Sequence, residues 1–149
     1  MEALDEIDVQ ILRLLQKDGR MSYADLSRRL GVPQSTIRFK VSRLIKLGFI
    51  KKIVAILDPC KLGYKITLIM LLKIDTKRSN QIFAHIAKMK EAHHVLQITG
   101  KYDVAAIFHA KDMDHANNII SNVKKMEGVF DAETLIATGK FEIKTELDL

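Results

Sequence analysis

Between residues 65 and 138 the chain runs strand, helix, strand and then strand, helix, strand again, an order that leaves few folds open. Residues 65–74 predict a strand, 79–89 a helix with Ile82, Phe83, Ile86 and Met89 at helical spacing, and 93–99 a second strand. Residues 104–110 predict a third strand, 113–126 a helix carrying Ala116, Ile119, Ile120, Val123 and Met126, and 129–138 a fourth. Gly128 suits the stop of that last helix. The succession β-α-β-β-α-β is the ferredoxin-like arrangement, with both helices on one face of a four-stranded sheet. Both halves close on a similar tripeptide, Thr99-Gly100-Lys101 and Thr138-Gly139-Lys140, a faint internal echo.

That fold leaves the second sheet face bare, yet the predicted strands are apolar on both sides. Ile66, Leu68, Met70 and Leu72 alternate with Ile69 and Leu71; Val104, Ala106 and Phe108 alternate with Ala105 and Ile107. Strands of this kind need cover on both faces, and an uncovered apolar sheet marks an association surface. The expectation is a homodimer made through this domain, whose two-fold symmetry presents two copies of whatever the rest of the chain carries.

The N-terminal third has a different signature. Between Asp25 and Asp58 there is no acidic residue, while Arg28, Arg29, Arg38, Lys40, Arg43, Lys46, Lys51 and Lys52 all fall there. Residues 1–55 hold 11 Lys/Arg against 6 Asp/Glu, so most of the formal net charge of +6 belongs to this part. An anionic partner should bind here, and duplex DNA is a dense array of negative charge.

The local pattern agrees. Leu4, Ile7, Ile11, Leu14 and Leu15 mark a first amphipathic helix over about residues 5–16, with Asp5, Glu6 and Asp8 in the first turn, where the helix dipole favours carboxylates. Ser22 caps a second helix with Asp25 three residues on, and Gly31-Val32-Pro33 breaks it. A third helix follows over about residues 34–47, burying Ile37, Val41 and Leu44. Two helices joined by a short Gly-containing turn make a helix-turn-helix unit, whose second helix enters the major groove of double-stranded DNA. The outer face of that helix holds Gln34, Ser35, Thr36, Arg38, Phe39, Ser42 and Arg43. Gln34 suits adenine and Arg38 guanine, while Lys40, Arg43 and Lys46 are placed for phosphates. The β-prone stretch 49–57 is either a wing strand laying Lys51 and Lys52 on the DNA backbone or a plain connecting strand with two solvated lysines. The chain thus divides into a helix-turn-helix domain (1–50), a wing and hinge (51–64) and a ferredoxin-like domain (65–149).

Other functions have little support. A single cysteine, Cys60, excludes an internal disulfide and any multi-cysteine zinc site. None of the five histidines (His85, His93, His94, His109, His115) stands at a metal-ligand spacing, and neither a nucleophile with a recognisable base nor a phosphate loop is present. The expectation is no enzyme, no metal and no cofactor. With no signal segment and no apolar run long enough to span a bilayer, a cytoplasmic protein without a membrane partner is expected. Gly100-Lys101-Tyr102-Asp103 reads first as a hairpin loop, and second as a cluster able to grip the zwitterion of an amino acid.

Along its whole length the chain resembles the Lrp/AsnC (leucine-responsive, feast/famine) regulators. The resemblance rests on Ile7-Asp8-x-x-Ile11-Leu12-x-x-Leu15-Gln16 in the first helix and on the recognition-helix run from Gly31-Val32 through Ser35-Thr36-Ile37-Arg38, Val41, Arg43-Leu44 and Gly48 to Ile50. Asp58-Pro59-x-x-Leu62-Gly63 resembles the hinge, and Gly100-x-Tyr102-Asp103 the signature loop of the effector domain. The resemblance implies an α+β protein, a winged helix-turn-helix followed by a RAM-type domain, that regulates transcription as a homodimer or as tetramers and octamers built from it. It further implies a small effector, usually an amino acid, near Gly100, Lys101, Tyr102 and Asp103, with Thr134, Ile136 and Thr138 on the last strand close by. Pro33 and Phe39 depart from the family pattern at a helix cap and on the exposed helix face. The competing reading is an architectural, sequence-tolerant DNA binder without an effector; a pure metabolite-sensing module that binds no DNA is the third.

Overall fold

The computed structural model describes residues 4–139, 144 and 146–149, which form two compact units. Residues up to Ile56, joined by the described C-terminal residues 144 and 146–149, make the first, and Leu57 onwards the second. Lys140 of the repeated tripeptide lies outside the described residues.

The first unit is three helices: α1 (Glu6–Lys17), α2 (Tyr23–Leu30) and α3 (Gln34–Lys46). Each begins where local chemistry satisfies orphan backbone groups. Asp5 and Asp8 form a reciprocal capping box at the start of α1, and the Ser22 side chain accepts from the Asp25 N–H at the start of α2. Pro33 caps α3 without a side-chain hydrogen bond, its missing N–H costing nothing at that end. Gly31 ends α2 at φ 67°, left-handed geometry that residues with a Cβ avoid. Ile11, Leu26, Ile37, Val41 and Leu44 are buried together, so each helix gives one apolar stripe to a common centre. No strand forms over residues 49–57, the stretch whose composition is β-prone. A β-strand exists only against a partner, and among the described residues this backbone pairs with none; Ile53, Val54, Ile56 and Leu57 all stand more than half exposed.

The second unit is β1 (Ile66–Ile74), a 3-10 turn (Thr76–Arg78), α4 (Ser79–Lys88), β2 (Ala92–Gln97), β3 (Val104–Ala110), α5 (Met113–Lys124) and β4 (Val129–Ile136). The strands form one antiparallel sheet in the order β2-β3-β1-β4, as the ferredoxin-like arrangement requires. Leu68, Met70 and Leu72 of β1 and Val104, Ala106 and Phe108 of β3 point to the helices, where Ile82, Ile86, Ile119 and Val123 close the core. The opposite face carries Ile69 paired with Ile107 and Leu71 paired with Ala105, with Leu96 53% and Leu135 44% exposed at its edges. The apolar alternation on both sides is therefore real, and helices cover only one of them. A register shift between Ala92 and His94 brings two consecutive imidazoles together: His93 and His94 stack at 4.4 Å, and His93 meets His109 of β3 edge-on at 4.9 Å.

Candidate nucleic-acid interface and effector pocket

Helix α3 starts without a cap side chain, and the groove on its outer face is lined by no carboxylate. Gln34, Ser35, Arg38, Phe39 and Ser42 line one open groove, and Phe39 is 68% exposed. The spacing explains this, since these positions lie away from the Ile37, Val41 and Leu44 stripe. Arg38 rests its guanidinium 5.8 Å from the Tyr23 ring centre, so α2 supports it while its donors stay available. Thr36 is half-buried and stands aside from this groove. Lys46, Lys51 and Lys52 are exposed, as phosphate contacts need to be.

Lys40 and Arg43 differ from their expectation at phosphates. Both turn towards α1, where Arg43 Nη2 donates to Asp8 Oδ2 at 2.5 Å and Lys40 Nζ donates to Asp8 Oδ1 at 3.2 Å and also to Asp5. The Lys40 side chain is 14% exposed and that of Arg43 31%. Burial works against the Lys40 charge, but its bonds to Asp5 and Asp8 more than offset this, and its pKa is raised. The same pairing holds the Asp5 carboxyl down at about 2, with the Asp8 N–H as the next cause. The sequence signal was present, since Asp8 lies in the first turn of α1, but the dipole explained it without needing a distant partner.

In the sheet unit the loop 100–103 joins edge strand β2 to central strand β3. Gly100 takes φ 121°, and Ile98 N–H donates to Asp103 O at 2.9 Å, closing the hairpin. Asp103 is anchored to β1: Oδ2 accepts from Ile74 N–H and Oδ1 from Lys73 Nζ, both at 2.9 Å. The Ile74 N–H, and then Lys73, lower its pKa. Tyr102 is buried and donates its hydroxyl to Glu133 Oε2 at 2.6 Å. Lys101 Nζ lies 4.8 Å from the Tyr102 ring centre, and its pKa is raised by Tyr102 first and the Glu133 charge after it.

Of β4, the residue that meets the loop is Glu133, which alternation puts on the bare sheet face. Thr134 and Ile136 pair with Met70 and Leu68 on the opposite face, and Thr138 lies past the end of the strand. Beside Asp103 opens a cavity of about 330 Å³, lined by Thr76 of the 3-10 turn, Ser79 at the start of α4, Gln97 at the end of β2, and Ile98 and Thr99 just past it. Three hydroxyls, an amide and a carboxylate round an apolar floor can hold a small zwitterion. Thr76, Ser79 and Gln97 carry no motif, and only the fold brings them to one place. Among the described residues no group of three or more His, Cys, Asp or Glu is placed to hold a metal ion, and no helix is long and apolar enough to cross a membrane.

Residues 4–51 match the winged helix-turn-helix DNA-binding family and residues 67–147 the Lrp/AsnC ligand-binding domain family. An uncharacterized HTH-type transcriptional regulator of Pyrococcus horikoshii is 40% identical over 136 residues, 91% of this chain and 86% of that protein. The HTH-type transcriptional regulator FL11 of Pyrococcus furiosus is 33% identical over 144 residues, 97% of this chain and 95% of the other. Among solved structures, the L-Met complex of a Neisseria meningitidis transcriptional regulator superposes with a TM-score of 0.86 at 23% identity, covering 98% of this chain and 97% of that one.

Proposed function

The chain belongs to the Lrp/AsnC family of transcriptional regulators, and from that premise we propose how its own residues read DNA and sense an effector. It is a DNA-binding transcription regulator with an N-terminal winged helix-turn-helix and a C-terminal α+β ligand-binding domain. The observation that carries the reading is the outer groove of α3, where Gln34, Ser35, Arg38, Phe39 and Ser42 lie together without a carboxylate. In the major groove Arg38 donates to guanine, Gln34 to adenine, and Phe39 packs on a thymine methyl, while Lys46, Lys51 and Lys52 meet phosphates.

The effector is an amino acid held in the cavity beside Asp103, with Thr76, Ser79, Gln97 and Thr99 as hydrogen-bonding groups. Asp103 and Tyr102, anchored to β1 and Glu133, set the shape of the loop, so occupancy of the cavity reaches three strands. The like-folded Neisseria meningitidis regulator, solved with L-Met, supports this class of ligand. Two copies associate through the sheet face of Ile69, Leu71, Ala105 and Ile107, which no helix covers, and so offer two recognition helices to a roughly palindromic operator.

Selection of binding sites from random duplexes, followed by competition, tests the DNA reading. A regulator prefers its operator over random DNA by a factor on the order of 10³ or more. Absence of preference would establish the architectural alternative instead. A thermal-shift panel of the standard amino acids tests the cavity, because a ligand bound to the native state raises its melting temperature by mass action. Silence across the panel would remove the effector.

A further inference from the structure

Among the described residues the most buried charged group faces the recognition helix. Asp8 is 0% exposed, and its carboxylate accepts from Arg43 Nη2 and Lys40 Nζ, both on α3. Its Oδ2 also accepts the Asp5 N–H at 3.1 Å through the capping box, so the first turn of α1 fixes where the carboxylate stands. Lys40 reaches Asp5 as well, and the cluster is two acids of α1 against two bases of α3.

This arrangement separates the cations of α3 into two sets. Arg38 and Lys46 are exposed, whereas Lys40 and Arg43 are engaged on the flank that meets α1. The geometry points to Asp8 as a positioning and specificity-determining residue: by holding Lys40 and Arg43 against α1 it withholds two cations from the DNA phosphates. The inference rests on the DNA-binding reading above and adds to it a reason for selectivity.

The physics favours retention. A phosphate contact carries no sequence information, so every cation placed on the backbone strengthens binding to all DNA alike. Moving Lys40 or Arg43 to a phosphate would take from the buried Asp8 carboxylate one of its two cationic partners, which is costlier than breaking an exposed pair. Desolvated and fixed by the capping box, Asp8 competes well against a solvated, mobile phosphate. The withheld pair also locks the angle at which α3 leaves α1, and so the placement of Gln34, Ser35 and Arg38.

Salt titration of the full-length protein on a random-sequence duplex decides the matter. Each phosphate contact contributes about 0.9 to the slope of log K against log salt concentration. Lys46→Gln should lower that slope by about 0.9, whereas Lys40→Gln should leave it unchanged. Asp8→Asn, checked for folding by circular dichroism, should steepen the slope by up to about 0.9 as Arg43 loses its carboxylate while Asp5 still holds Lys40, and tighten binding to random DNA at low salt. A merely structural Asp8 would weaken binding without steepening the slope. A drop for Lys40→Gln equal to that for Lys46→Gln would overturn the proposal while leaving DNA binding intact. Failure of the wild type to bind the duplex at low salt would overturn the DNA reading itself and this inference with it.

Discussion

The helical unit and the sheet unit each tie neighbouring elements together with an aspartate, but the two ties stand in different surroundings. Asp8 sits at the centre of its unit, wholly buried, and links α1 to the recognition helix beside a core of Ile11, Leu26, Ile37, Val41 and Leu44. Asp103 sits at the rim of the sheet, its side chain 23% exposed, and bonds β1 next to a larger core through β1, β3, α4 and α5. The three short helices share a core of five fully buried residues, and a charged clamp between α1 and α3 is set beside it. The sheet unit holds its strands by ladders and packing, and its aspartate shapes a loop. A unit that must place a reading head is thus fixed by polar geometry, and a unit that must present a surface is fixed by apolar bulk.

The sharpest way to break this contrast is to remove the main support of each unit. Phe108→Ala should cost the sheet unit about 3–5 kcal/mol, the range for emptying a large aromatic site in a packed core. Asp8→Asn should cost the helical unit about 3–5 kcal/mol, because the partly buried Arg43 would lose the Asp8 counter-charge and Lys40 one of its two. Urea unfolding, followed by the NMR signals of Ile11 and Phe108, reports the two units separately. A cost below about 1 kcal/mol for Asp8→Asn would mean that packing alone orients α3.

A smaller effect is expected at the rim. Asp103→Asn retains an acceptor for the Ile74 N–H and loses only a half-exposed pairing with Lys73, so it should destabilise the sheet unit much less than Asp8→Asn destabilises the helical one. A cost matching that of Asp8→Asn would erase the distinction between the two aspartates. Gly31→Ala should cost the helical unit about 1–2 kcal/mol. A Cβ there meets no atom within 4 Å, so the penalty comes from the left-handed backbone alone.

The smallest effects are those of mild acid, which should reach the sheet unit first. Burial, and then the neighbouring imidazoles, lower the pKa of His93 and His109 below 6.5. A base with a lowered native pKa stabilises the fold above its unfolded value and loses that contribution as pH falls through and below 6.5. Asp5, lowered from 3.8 to about 2, keeps its contribution until pH falls below about 4. Denaturant midpoints taken between roughly pH 7 and pH 3 should therefore fall for Phe108 before they fall for Ile11. Simultaneous loss would show that the imidazole cluster adds nothing.

Much of this molecule is legible without coordinates. Ile37, Val41 and Leu44 announce the buried side of α3, Ser22 and Gly31 bracket α2, and the double strand-helix-strand order yields the sheet. These are local signals, set by periodicity and by the conformational limits of single residues. The stretch 49–57 forms no strand for the complementary reason, since high β-propensity cannot supply the partner a strand needs. Thr134, Ile136 and Thr138 were placed by resemblance, while the loop contact belongs to Glu133, on the other side of the pleat.

The sequence by itself determined where helices and strands form, which third of the chain is basic, and which side of α3 is free to face a ligand. Only the tertiary structure decided which cations remain available on that side and which polar groups gather beside Asp103. Lys40 and Arg43 meet Asp8 across 32 and 35 residues of chain, and Thr76 meets Gln97 only because β1 and β2 flank the same strand. Pattern along a chain fixes what a residue and its neighbours in the same turn or pleat can do. Whether a charge is offered to solvent or held by another charge depends on distances that arise only after the elements have packed.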